Sequence, residues 1–149
     1  MKINKFWNKK HKIKFSVDGR PPRKSGWAID EAVLILELRA KALESRTKAG
    51  LNDCFHSPVR LELTVFSPNI INKDDPQTYV GDIDSFLAGV CESLQAAKEN
   101  APLNLIFSSR PDLNPGIPLI LEDDSLVVSS MARKIADKKE YYTVSIELI

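Results

Sequence analysis

The chain has 149 residues, 43% of them hydrophobic and 28% charged, with a formal net charge of +1. That balance suits one soluble domain with a real core. No apolar run approaches the roughly 20 residues needed to span a bilayer, and the basic N-terminus lacks the apolar stretch of a secretory signal. No membrane association is therefore expected, and a cytoplasmic protein is.

Charge is spread unevenly. Residues 1–24 hold nine lysines and arginines against Asp18, a net of +8, so the remainder carries −7. A basic arm on an acidic body suits a polyanionic partner; a solubilising tail is the alternative. Residues 1–11 read as a basic lead-in containing Phe6 and Trp7. Residues 12–18 alternate polar and apolar, with Ile13, Phe15 and Val17 on one face, which predicts a half-buried strand. A loop over 19–26 follows, rigid at Pro21 and Pro22, loose at Gly19 and Gly26 and basic in between.

Residues 28–49 predict a long helix with Ile29, Val33, Leu36, Ala40 and Leu43 on its apolar stripe. Asp30 and Glu31 complement its positive end, Arg46 and Lys48 its negative end, and Gly50 stops it. Trp27, just before it, is read as packing on this helix, with stacking on an unpaired base as the alternative. Residues 59–66 alternate and predict a strand. Residues 67–80 are a polar loop, and a second helix is expected from near Asp82 to about Lys98. Residues 99–118 form a long proline-rich connection in which 103–107 reads as a short strand or a plug. Strands are expected over 126–135 and 142–149. The order predicts one α+β (mixed α/β) domain over 1–149, with a mixed sheet of about four to five strands and two main helices.

The two cysteines, Cys54 and Cys91, form no C-x-x-C, and with His11 and His56 they do not match the usual spacing of a structural zinc site. Two isolated thiols, buried or half-buried, are expected. No phosphate-binding glycine loop of either common type is present. The chemistry is read instead from two pairs of aspartates: Asp82 and Asp84 at the second helix start, and Asp123 and Asp124 before a strand. Carboxylates crowded beside apolar segments are costly unless a cation neutralises them. Hard oxygens suit Mg²⁺, which leaves positions for a phosphate. The plain reading of each motif alone is a helix cap or a turn. Glu92, on the same helix, reads as a surface acid or a partner behind the site.

Three stretches taken together resemble a family: Gly81-Asp82-Ile83-Asp84-Ser85-Phe86-Leu87, then Cys91-Glu92-Ser93-Leu94, then Leu121-Glu122-Asp123-Asp124-Ser125-Leu126-Val127. With Phe15 to Lys24 as an opening strand and basic proline loop, and Lys134 ten residues past Asp124, the pattern resembles the RusA-type Holliday junction resolvases of bacteria and their prophages. The resemblance implies a homodimer that binds four-way DNA junctions and nicks two opposed strands with Mg²⁺ or Mn²⁺. It implies Asp82, Asp84 and Asp124 as catalytic, metal-binding carboxylates, with Asp123 assisting. Arg20, Arg23, Lys24 and Lys134 would then face DNA. Two departures stand out. Ser85 replaces the family asparagine, and Ala88 stands where the family has a lysine that would stabilise charge on the scissile phosphate. Lys73 or another loop base would have to supply that charge. The alternative is a branched-DNA-binding protein of the same fold that cuts weakly or not at all. Other Asp-x-Asp enzymes, metal-dependent sugar-nucleotide transferases or aspartate-based phosphatases, and a protein with no site are the remaining readings.

Overall fold

The computed structural model describes residues 12–97 and 105–149. The lead-in at 1–11, and Leu103 and Asn104 of the expected plug, lie outside them. Strand β1 is Lys12–Asp18, helix α1 Ala32–Lys48, β2 Val59–Ser67, α2 Ile83–Leu94, β3 Val127–Ala136 and β4 Tyr141–Leu148. Single 3-10 turns occupy Ile29–Glu31, Leu105–Ser109, Pro111–Leu113 and Asp124–Leu126. The protein is α+β, with one mixed four-stranded sheet in the order β1-β4-β2-β3 and two helices.

Strand alternation decides which face is buried. Ile13, Phe15 and Val17 of β1, Val59, Leu61, Leu63 and Val65 of β2, and Tyr142, Val144 and Ile146 of β4 all point to one side and are buried. The helices cover that side with Leu38 and Ala42 from α1 and Phe86, Val90 and Leu94 from α2. Each such aliphatic or aromatic side chain stabilises the fold by roughly 1.5–3 kcal/mol on removal from water. The pairs β1·β4 and β2·β4 are antiparallel, and β2·β3 is parallel. A parallel pair needs a crossover, and α2 provides it. Helix α2 therefore runs opposite to β2 and β3. Its first turn sits at their C-terminal ends and its last turn at the start of β3.

A second, smaller cluster joins Trp27, Ala32, Ile35 and Phe107. Trp27 is 5% exposed, so it is a packing residue and no platform for a base. Phe107 is the buried part of the expected plug, on a 3-10 turn rather than a strand. Arg39 is fully buried in α1. Its guanidinium donates to the carbonyls of Ser93, Gln95, Leu113, Asn114 and Ile117 at 2.7–3.1 Å, pinning the chain after α2 to α1. Burial alone lowers its pKa to about 10, so it stays charged at neutral pH. No helix among the described residues is long and apolar enough to cross a membrane.

Candidate functional site

Gly81 turns the chain into α2 with a φ of +127°, and an added Cβ there would meet the Phe86 ring at 2.7 Å. Asp82 occupies the N-cap position, yet its side chain makes no capping bond. Its Oδ1 accepts instead from the Tyr79 hydroxyl at 2.9 Å, with Lys73 Nζ at 3.6 Å. The Tyr79 bond, then the Lys73 charge, holds its pKa below the usual carboxylate range, and Lys134 adds to this. Lys134 lies on the helix-covered face of β3, paired with Val65. Its ammonium donates to Tyr79 Oη at 3.2 Å and to the Gly81 carbonyl at 3.1 Å, with its charge 4.9 Å from the Tyr79 ring centre. Lys134 thus props the turn that presents Asp82. Two lysines, Lys73 and Lys134, stand at this end of α2, where the sequence lacks a base at Ala88. Asp84, in the first helical turn, is exposed.

The second aspartate pair is built at the other end of α2. Gln95, just past the helix, accepts from the Asp124 amide at 2.8 Å and donates to Asp124 Oδ2 at 3.4 Å. Asp123 Oδ2 accepts from Ser125 Oγ at 2.6 Å, and that bond lowers its pKa. The Asp124 charge also reaches Cys91, whose thiol is pushed up to about 11, first by burial and then by that charge. Asp84, Ala88, Cys91 and Gln95 recur at helical spacing and share one side of α2. The acids therefore line one seam between α2 and β3 rather than one pocket. At a rise of about 1.5 Å per residue, Asp82 and Leu94 lie about 18 Å apart along the helix. The strand gives a second measure. Lys134 holds the Asp82 end, and Val127, which follows the 3-10 turn opened by Asp124, is seven residues back along β3, roughly 23 Å at strand rise.

The triad Asp82, Asp84 and Asp124 does not fit a single Mg²⁺ as it stands. Oxygens sharing that ion at about 2.1 Å lie no more than about 4.2 Å apart. Among the described residues, the one group of three metal-ligating side chains whose ligand atoms all lie within 4.8 Å of one another is Asp53, Cys54 and His56.

The basic loop packs against a neighbouring side of α2. The Lys24 amide donates to the Ser85 carbonyl at 3.1 Å. Glu92 accepts from the Ser25 and Gly26 amides at 3.2 and 2.8 Å, so this acid anchors the loop. Arg20, expected to face DNA, is turned inward. Its guanidinium forks onto Glu31, which is almost fully buried and also takes the Arg23 amide at 2.6 Å. Burying Glu31 without a cation would be far costlier than releasing Arg20 to solvent, which decides the direction of that side chain. The Arg23 guanidinium lies 5.9 Å from the Phe86 ring centre and 3.4 Å from the Val80 carbonyl. Lys24 is exposed. Of the four expected DNA-facing bases, Arg20 and Lys134 serve internal bonds first.

Sequence reasoning missed one cluster. His56 stands between two carboxylates, with Nε2 2.8 Å from Asp53 Oδ2 and Nδ1 3.0 Å from Glu122 Oε2. Cys54 Sγ is 3.8 Å from the same Nε2. Asp53-Cys54-Phe55-His56 was visible as a string. Glu122 arrives only through the parallel bridge of Phe55 with Leu121, which no local pattern announces. Cys54 is buried and Cys91 half-buried, both free, as expected. No family model matches the chain, and no curated protein matches it significantly.

Proposed function

We propose that this protein acts on branched DNA as a RusA-type junction endonuclease, with Asp82 and Asp84 as the carboxylates its Mg²⁺- or Mn²⁺-dependent cleavage requires and Asp124, expected to join them, set apart at the far end of α2. One observation carries the reading. The Asp-x-Asp opens a helix whose carboxylate at Asp82 is not spent on capping, while Tyr79, Lys73 and Lys134 hold it ionised at the surface. An ordinary N-cap aspartate would bond its own helix amides. Lys73 and Lys134 also bring positive charge to the end of α2 where phosphate would enter, the part expected of the base missing at Ala88. Lys24 and Arg23 on the loop beside α2 would add phosphate contacts that position without reading sequence. A homodimer is part of the proposal. Strand β3 is a sheet edge, and Val128, Met131 and Ile135 are exposed on it.

A second reading is favoured by the tie of Asp124 to Gln95. With Asp124 held at the far end of α2 and Ala88 between, the same surface binds junctions without cutting them. A synthetic four-way junction, with and without Mg²⁺, separates the two. The nuclease reading expects Mg²⁺-dependent nicks that Asp82→Asn and Asp84→Asn abolish while binding persists. Binding with no nicks in any divalent ion gives the second reading, and loss of binding to branched DNA overturns both.

A further inference from the structure

We propose that Asp53, Cys54 and His56 form a binding site for a divalent transition ion of the zinc class, with Glu122 holding the histidine from behind. The site lies outside the aspartate seam and does not depend on the DNA reading.

The arrangement of the imidazole is the main argument. Nδ1 faces Glu122 at 3.0 Å, while Nε2 alone faces both Asp53 Oδ2 and Cys54 Sγ. A metal-ligating histidine characteristically gives one ring nitrogen to the ion and the other N–H to a carboxylate, which fixes the tautomer and raises the ligand's basicity. Here the carboxylate is in place, and the other nitrogen, Nε2, points at a thiol and a second carboxylate. The spacing agrees. Tetrahedral zinc with bonds of about 2.3 Å to sulfur and about 2.05 Å to nitrogen separates those two atoms by about 3.6 Å. The Sγ–Nε2 distance is 3.8 Å. Asp53 Oδ2, at 2.8 Å from Nε2, must open by about half an ångström to reach ligand spacing. Its side chain is 76% exposed, so one small torsion suffices.

The loop is held ready. Phe55 between the ligands donates its amide to the Ile120 carbonyl at 2.8 Å and accepts from the Glu122 amide at 3.1 Å. These bonds fix Cys54 and His56 against the segment that carries Glu122. Mixed sulfur, nitrogen and carboxylate donors select zinc-like ions over Mg²⁺, which prefers oxygen alone. Three protein ligands leave a fourth position for water. Binding releases the Cys54 thiol proton and the Nε2 proton of His56 to solvent. A nucleophilic thiol is the rival use of this cluster, and the environment opposes it. Cys54 is pushed up to about 11 by burial, with Asp53 and Glu122 adding negative charge, so only a bound cation would ionise it near neutral pH.

The test uses the full chain, freed of metal by a chelator and titrated with Co²⁺ as a spectroscopic probe, then with Zn²⁺ in competition. A sulfur-to-cobalt charge-transfer band should grow to one equivalent and be bleached by Zn²⁺. Cys54→Ser should remove the band, Cys91→Ser should keep it, and Glu122→Gln should weaken Co²⁺ binding by about tenfold or more. Asp82→Asn/Asp84→Asn should bind Co²⁺ as the parent does, so failure of the nuclease reading leaves this result intact. Absence of the band in the parent protein, or its survival in Cys54→Ser, overturns the proposal. Circular dichroism of each variant checks that a lost band is not a lost fold.

Discussion

The Arg20 guanidinium grips Glu31 through two parallel hydrogen bonds, Nη1 to Oε1 at 2.9 Å and Nη2 to Oε2 at 2.7 Å. The carboxylate is 7% exposed and the guanidinium 22%. Removing one partner strands a charge, so Arg20→Ala should destabilise by about 2–3 kcal/mol, discounted for the exposure of Arg20. Denaturant midpoints at unchanged slope measure this. Burial pushes the Glu31 pKa up, but the bonds from Arg20 and the Arg23 amide outweigh it and leave it below 4.5. A depressed carboxylate contributes stability above its unfolded pKa and loses it as pH falls through the folded one. The parent should therefore weaken on acidification below about pH 4.5 more steeply than Glu31→Gln. The same geometry bears on DNA. Arg20→Ala should leave the salt slope of junction binding unchanged; a loss of about one unit would mean that Arg20 leaves Glu31 for a phosphate.

Gly89 lies where the Pro22–Arg23 backbone crosses α2. A Cβ at Gly89 would collide with the Pro22 carbonyl and come within 2.6 Å of the Arg23 carbonyl carbon. Helix propensity alone favours Gly89→Ala by up to about 1 kcal/mol. The clash is with backbone, which cannot swing aside, and overpacking should win, giving a net loss of about 2–3 kcal/mol. The loop should loosen too, since Ser25 and Gly26 reach Glu92 only when the backbone seats on Gly89. Thermal unfolding and amide exchange at residues 22–26 measure both effects. An unchanged midpoint would show that the crossing has room.

The strands were legible in the sequence because period-two alternation in β1, β2 and β4 is the burial pattern itself. Helix α1 was legible in extent and partly in face: Leu36, Ala40 and Leu43 of the expected stripe pack against the core. Ile29 and Val33, expected inside, are 61% and 53% exposed, while Ala32, Ile35, Leu38 and Arg39 turn inward. Hydrophobic periodicity misses the centre of that face, because its most buried large side chain is an arginine whose charge is met by five carbonyls contributed by distant segments. The first turn is also 3-10 rather than α, beginning after Trp27 at a φ of +67°. For the candidate site, the sequence located Asp82, Asp84, Asp123 and Asp124 but not their separation. That follows from the parallel β2·β3 pairing, which makes α2 a crossover and sends its two ends to opposite ends of β3. The partners of Asp82 were half visible. Lys73 was a candidate base, whereas Tyr79 and the inward reach of Lys134 depend on register.

Ala88 sits between Asp84 and Cys91 on the seam side of α2, and a lysine there would direct its ammonium among Asp84, Asp82 and an incoming phosphate. If cleavage is limited by charge at this point, Ala88→Lys should raise the Mg²⁺-dependent nicking rate by about tenfold or more. Lys73→Ala should lower it, since Lys73 pairs directly with Asp82 at 3.6 Å, whereas Lys134 reaches it through the Tyr79 hydroxyl. Single-turnover nicking separates this from binding. The Lys73–Asp82 pair is exposed on both sides, so its loss should leave stability unchanged. Equal rates for all three proteins would remove both lysines from the reaction.

The charge state of His56 offers a direct reading of its carboxylate cradle. The Asp53 hydrogen bond first, then that from Glu122, raises its pKa above 6.5, against the opposing effect of desolvation. Besides those two acids, the buried Cys54 thiol faces the ring and stays neutral in this range. A raised histidine pKa stabilises the fold below the unfolded value, and that contribution fades as pH rises through the folded one. NMR titration should therefore find His56 protonating above 6.5, with His11→Ala identifying its signal. Asp53→Asn should lower that pKa more than Glu122→Gln does, following the order of their contributions, and the double variant should return it to the ordinary histidine range. Zn²⁺ competes with the Nε2 proton, so saturating Zn²⁺ should remove the titration near neutrality. A His56 that titrates at its ordinary value in the parent would mean that neither carboxylate holds the ring in solution.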